Sequence, residues 1–207
     1  MIIVKNTRSR GRPLSFDREL VLSKAAECFW ANGYEGTSIA DLTQAMGITP
    51  QSLYTAFHSK AELFSQALDW YAATFGGLEP DNLDAPGIVD TLTHWLHRQA
   101  EAFASPLHPK GCMISVAAIG FAEENRAIAR MASAKREATI ERLRQRLSRA
   151  VSEGELKAET DSASLARFIG AIVQGMTIQA RDGATEQQLT ALAALACTAL
   201  TDCLLNQ

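Results

Sequence analysis

From Phe16 to the C-terminus, apolar residues recur at three- and four-residue steps. Nowhere do apolar and polar residues alternate long enough to specify a half-buried strand. This period restricts the chain to helices packed on helices, and the fold class is all-α. No repeat of fixed length is present, so the bundle is not a solenoid.

The helices can be placed one by one. Phe16 to Asn32 carries Leu22, Ala25, Ala26 and Phe29 on one face, with Asp17 as cap and Asn32-Gly33 as terminator. Thr37 or Ser38 opens a second helix with Ile39, Leu42 and Met46 inward, and Gly47 breaks it. Thr49-Pro50 opens a third, with Thr49 as cap and Pro50 at the first helical position, where a missing N–H costs nothing. A fourth runs from about Ser59 to Phe75. Leu78 to Pro86, rich in Pro, Asn and Asp, reads as a linker. Beyond it lie helices at Ile88–Ala104, Cys112–Phe121, Asn125–Glu153 and Ser162–Arg181, with a loop from Ser105 to Gly111. The stripe of Asn125–Glu153 is Ile140, Leu143, Leu147 and Val151. A capping box at Thr185-Glu186-Gln187-Gln188 starts the last helix, which runs to about Leu205.

Charge divides the chain more sharply than its net value of −3 suggests. Up to Phe16 there are Lys5, Arg8, Arg10 and Arg12 and no acid. From Ala61 onward 13 basic residues face 18 acidic ones. A basic arm on an acidic body puts any polyanion-binding surface at one end. Cys28, Cys112, Cys197 and Cys203 are far apart and form no CxxC pair, which argues against a zinc site and a disulfide framework. No apolar run is long enough for a membrane helix, and no signal-peptide core follows the N-terminus, so a cytoplasmic protein is expected.

Two short helices around Met46-Gly47-Ile48 fit a helix-turn-helix, whose second helix lies in the major groove. Ile48 and Leu53 pack that helix inward, leaving Thr49, Pro50, Gln51, Ser52 and Tyr54 outward. These are groups suited to base edges and phosphates. A glycine between two short helices also fits an α-hairpin inside an ordinary bundle. The wider stretch separates the two readings. It runs Gly33-Tyr34-Glu35-Gly36-Thr37-Ser38-Ile39-Ala40-Asp41-Leu42, Met46-Gly47-Ile48, Ser52-Leu53-Tyr54-Thr55-Ala56-Phe57 and Lys60-Ala61-Glu62-Leu63-Phe64. Together these segments closely resemble the N-terminal signature of TetR/AcrR regulators over about Phe16 to Tyr71. Thr43, where many members carry Ala, is a small departure.

The resemblance implies an N-terminal three-helix helix-turn-helix DNA-binding domain plus a C-terminal helical ligand-binding and dimerisation domain. The expected division is a basic flexible arm at 1–15, the DNA-binding domain at 16–60 and the effector and dimer domain at 61–207. It also implies phosphate contacts from Thr37, Lys60 and Tyr54, base contacts from Thr49, Gln51 and Ser52, and apolar contact from Pro50. Arg8, Arg10 and Arg12 suit the minor groove as an extended arm, although a solvated tail fits them too. The last two helices, about 162–181 and 186–205, are implied as the homodimer interface. The near-continuous apolar surface of Ala191–Leu200 fits this, and Gly170 and Gly175 allow close approach, but a monomer core remains open.

The C-terminal domain is expected to bind a small apolar or electrophilic effector and no cofactor. Trp95, Phe103, Phe121, Phe168 and Gln174 are its candidate lining. Gly111-Cys112 resembles a TetR subgroup in which some members sense electrophiles or oxidants through this cysteine; a helix start and Lys110 would both favour thiolate. The reading is therefore a non-enzymatic repressor that binds double-stranded operator DNA and is released by an effector. Two alternatives stay open: a DNA-binding adaptor of the same fold governed by a protein partner, and a nucleophile–base pair of Cys112 with His108.

Overall fold

The computed structural model describes residues 16–76 and 87–203. Within them the chain forms nine α-helices and one short 3-10 turn, and the described residues contain no strand. Arg8, Arg10, Arg12 and the linker at 78–86 lie outside the described residues. No helix of the described residues is long and apolar enough to cross a membrane.

Local chemistry sets the first four helices. Helix α1 spans Arg18–Asn32, and Asp17 caps it by accepting the Glu19 and Leu20 N–H groups. Helix α2 spans Ile39–Met46 and opens on a reciprocal capping box between Ser38 and Asp41. Gly47 ends it in the left-handed region (φ 65°, ψ 29°), which the absence of a Cβ makes inexpensive. Helix α3, Pro50–Phe57, has Thr49 as cap and proline in its first turn. Helix α4 spans Lys60–Phe75 and is capped by Ser59. One core joins them through Ala25, Phe29, Leu42, Leu53, Phe57 and Phe64. It continues along α4 to Tyr71 and takes in Met113, Ile114 and Ile128, so packing is unbroken across residue 60.

Most of the remaining helices form a second core. Helix α5 spans Ile88–Ala104, α6 Met113–Val116, α7 Arg126–Ser152, α8 Ser162–Arg181 and α9 Glu186–Thr201. Gly87 has no side chain with which to cap α5. The Glu155 carboxylate does so from beyond α7, accepting the Ile88 N–H at 2.6 Å while pairing with buried Arg146 at 2.9 Å. Helix α9 lies along α5, and α8 contacts α5, α7 and α9. Leu92, Leu96, Leu147, Ile169, Ala193 and Leu200 are fully or almost fully buried between them.

Two boundaries differ from the sequence reading. The helix expected over Cys112–Phe121 is a single turn, Met113–Val116. Ala117 is extended and Ala118 has φ 49°, while the Arg136 guanidinium donates to the Ile114 and Ala117 carbonyls. Those carbonyls are thus satisfied without a further turn. Helix α9 ends at Thr201, while Leu205, the expected end, lies outside the described residues; the two residues after the helix are held by Lys157. Its N–H binds the Cys203 carbonyl at 2.9 Å and its ammonium the Asp202 carbonyl at 2.8 Å.

Candidate DNA-reading surface and effector cavity

The outward side of α3 follows from what holds its inward side. Leu53 and Phe57 are fully buried, so Thr49, Pro50, Gln51 and Tyr54 face solvent, with Tyr54 47% exposed. Ser52 is half-buried. Its hydroxyl lies 3.0 Å from Thr49 Oγ1, which also accepts the Ser52 N–H. Thr55 is exposed on the same helix, donating to the Gln51 carbonyl, and the sequence reading had not singled it out. Lys60 folds back over the Tyr34 ring, with Nζ 4.3 Å from its centroid. Burial there pulls the ammonium below its ordinary pKa, opposed by Glu35 and Asp41.

Thr37, expected at a phosphate, does not reach the surface. It is fully buried, and its hydroxyl donates to the Gly33 carbonyl at 2.7 Å and the Cys28 carbonyl at 3.3 Å. Ser38 is the cap of α2, so the preceding side chain turns back beneath the α1–α2 turn. Thr37 therefore braces α1 and has no free hydroxyl for a phosphate.

Besides the shared core, a joint of polar contacts ties α1 and the turn after it to the C-terminal part of the chain. Trp30 donates from Nε1 to the Gly111 carbonyl at 3.0 Å and stacks on His108 at 4.5 Å. Arg181, at the end of α8, donates to the Trp30 and Ala31 carbonyls at 3.0 and 2.7 Å. Glu35 accepts the Ala122 N–H and the Asn125 side-chain amide, the latter at 2.9 Å.

These bonds, the Ala122 N–H first, lower the Glu35 pKa. A lowered folded pKa means the tie contributes fully above the unfolded carboxylate value and is lost as pH falls through the folded one. The melting temperature of wild type should therefore exceed that of Glu35→Gln at neutral pH. The gap should close on acidification below the ordinary carboxylate range. A gap independent of pH would show that Glu35 acts by packing alone.

Above the joint lies a cavity of about 80 Å3 between α4, α5, α6, α7 and α8. Of the expected lining, Trp95, Cys112 and Gln174 are present. Phe103 is buried in the α5 core instead, and Phe168 is 40% exposed on the outer side of α8. Phe121 is 44% exposed and borders a separate hollow beside Gly33–Gly36. Its displacement follows from the early end of α6. The sequence reading missed Tyr71, Gln99, Ser115 and Arg136. A signal was available: Gln99 and Arg136 are polar residues at apolar-stripe positions, in register with Trp95 and Phe103 and with Ile140 and Leu143.

Cys112 is half-buried. Its N–H donates to Thr177 Oγ1 at 3.3 Å. The Tyr71 phenol shares hydrogen bonds with the Cys112 thiol and the Met113 N–H, and burial above all pushes its pKa well up. The cation beside the sulfur is Arg136. Lys110, expected in that role, instead donates to the Ala104 carbonyl. Cys28, Cys197 and Cys203 are also half-buried, so burial does not set Cys112 apart; of these, Cys28 has its pKa raised, chiefly by desolvation. His108 is held by stacking on Trp30 and edge contact with Phe75. Among the described residues no group of His, Cys, Asp and Glu could hold a metal.

A short helix held outward after a glycine turn, on an all-helical body with its own cavity, defines a helix-turn-helix regulator rather than an enzyme. Residues 21–67 match the family described as bacterial regulatory proteins, tetR family, and residues 89–197 the tetracyclin repressor-like C-terminal domain. The chain belongs to the TetR family of transcriptional regulators. It is 34% identical over 188 residues, 90% of each chain, to the HTH-type transcriptional repressor ComR of Escherichia coli K12. To BdcR, another such repressor of that organism, it is 32% identical over 199 residues, 95% of each chain. A solved cysteine mutant of the TetR-family regulator CifR, complexed with 26-bp double-strand operator DNA, superposes with a TM-score of 0.87 at 38% identity. That match covers 91% of this chain and 99% of the other.

Proposed function

We propose that the protein is a repressor that binds a palindromic operator as a homodimer and releases it when an effector or thiol modification acts at the Cys112 cavity. The observation that carries the reading is the solvent-facing side of α3, fixed from behind by Leu53 and Phe57. The likeness to an operator-bound relative across nearly its whole length supports it. Gln51, Thr49, Ser52 and Pro50 read bases; Tyr54 and Lys60 meet the backbone. Between Asp17 and Lys60 three basic side chains face five acidic ones, so the net attraction to the polyanion comes mainly from Lys5, Arg8, Arg10 and Arg12.

The dimer forms through α8 and α9. Phe168, Ala171, Gly175 and Ile178 make one exposed stripe on α8, and Ala191, Ala194 and Leu195 another on α9. Gly175 has open space where a Cβ would stand, whereas Gly170 is buried against Ile140 of its own chain and serves the subunit core. A small-effector switch is favoured over a protein partner because the cavity opens beside the Gly111–Trp30 joint. Modification of Cys112 would act on that joint directly.

The test is operator binding by α3 variants. Gln51→Ala and Ser52→Ala should relax base preference, by roughly 1–3 kcal/mol where a good contact is lost. Tyr54→Ala and Lys60→Ala should weaken binding to all sequences alike. Unaltered selectivity in both base-reading variants would remove α3 from the groove.

A further inference from the structure

We infer that the effector of the Cys112 cavity is a small monocarboxylate with a short apolar body. This rests on the reading of that cavity as the effector site. Arg136 and Arg142 both line it, and no lining residue is acidic. Arg136 spends Nη1 on the Ile114 and Ala117 carbonyls, while its Nε and Nη2 have no hydrogen-bond partner among the described residues. Gln99 and Ser115 are only 7% and 8% exposed, and neither side chain has a hydrogen-bond partner among the described residues.

A polar group that faces a cavity without a protein partner is answered by water or by a ligand. Here a guanidinium edge, an amide and a hydroxyl line one space. A carboxylate answers them with two acceptor oxygens, and a guanidinium offers its N–H groups in the matching planar fork. The rest of the wall is Phe75, Trp95, Ile114, Ile140, Leu143 and Val173, which suits hydrocarbon. Size limits the hydrocarbon: benzene occupies an apolar cavity of about 150 Å3, and this one measures about 80 Å3. By proportion a hydrocarbon tail of about three carbons is the expected length, with the carboxylate toward the open side.

Calorimetric titration of the full-length dimer with sodium butanoate, octanoate, 1-butanol and butylammonium tests the inference. Butanoate should bind saturably, roughly tenfold or more tighter than the alcohol or the amine, as a charge-assisted bidentate contact requires. Octanoate should bind more weakly than butanoate. Arg136→Gln should abolish the preference for butanoate over 1-butanol, and Arg136→Lys should keep part of it. Because Arg136 also holds the end of α6, Gln99→Leu provides an independent variant, expected to weaken butanoate binding without loss of helical signal.

Equal affinity for butanoate and 1-butanol, or no saturable binding of butanoate up to about 50 mM, would overturn the inference and leave a water-filled cavity. A parallel arm treats wild type and Cys112→Ser with iodoacetamide and follows operator release. Release of wild type alone, with no carboxylate bound, keeps the thiol switch and discards the carboxylate. Butanoate binding without any change in operator affinity keeps the ligand class and discards the switch.

Discussion

Leu195→Arg combined with Ile178→Glu is expected to convert the dimer to soluble monomers and to lower operator affinity by roughly a thousandfold or more, toward non-specific binding. The two side chains are 71% and 46% exposed on a single subunit, so charges there leave its core intact. In the dimer they would be desolvated on a two-fold axis, where each substitution is applied twice. One reading head then has to hold a half-site alone, and the specific contacts of its partner are lost. Light scattering gives the mass and circular dichroism the retained helix content. Ala196 and Leu200 are unsuitable positions, although they lie on the same helix. They are 2% and 1% exposed, in the second core that packs α9 along α5, so a charge there unfolds the subunit before it tests the interface. A stable dimer carrying both charges would place the interface elsewhere.

Gly111→Ala should be strongly destabilising for a change of one methyl group. Gly111 has φ 75°, and a Cβ there would stand 2.8 Å from the carbonyl oxygen and the methyl of Thr177 on α8. Its own carbonyl carries the Trp30 indole, and its neighbour Cys112 opens the cavity wall. Left-handed backbone costs a residue with a Cβ about 1–2 kcal/mol, and forcing an overpacked contact adds about 1–3 kcal/mol. Gly47→Ala separates the two costs, since φ there is 65° but nothing lies within 4 Å. Gly47→Ala is therefore expected to lose only the backbone part, and Gly111→Ala roughly twice as much. Across a chain of this length the larger loss lowers the melting temperature by roughly 5–15 °C. Equal losses in the two variants would mean that α8 gives way easily, and that the joint transmits less than proposed.

The helix-turn-helix was legible because its signals are local. A cap, a proline in the first turn, a glycine in the left-handed region and a buried leucine each act within four residues, and each stands where the sequence placed it. The cavity was less legible because its walls come from five helices whose relative rotation no single segment encodes. Trp95 and Cys112 were found as an aromatic and a thiol, but Phe168 was misplaced because its stripe on α8 faces outward. Thr37 was misread because one residue decides whether a hydroxyl caps a helix outward or braces the turn beneath it. Arg136 was passed over as a charged residue on a long polar helix, though it shares the register of Ile140 and Leu143. The end of α6 was missed for the same reason, since the group that satisfies its carbonyls is that distant arginine.

Two copies of α3 are expected to read two half-sites of one operator. Genome-wide mapping of the fragments bound by the full-length protein tests it most directly. The fragments should share an inverted repeat, with half-site centres about 34–36 Å apart along the duplex, one helical turn, or a multiple of it. Bound fragments with no common dyad, or with a single unpaired half-site, would contradict it.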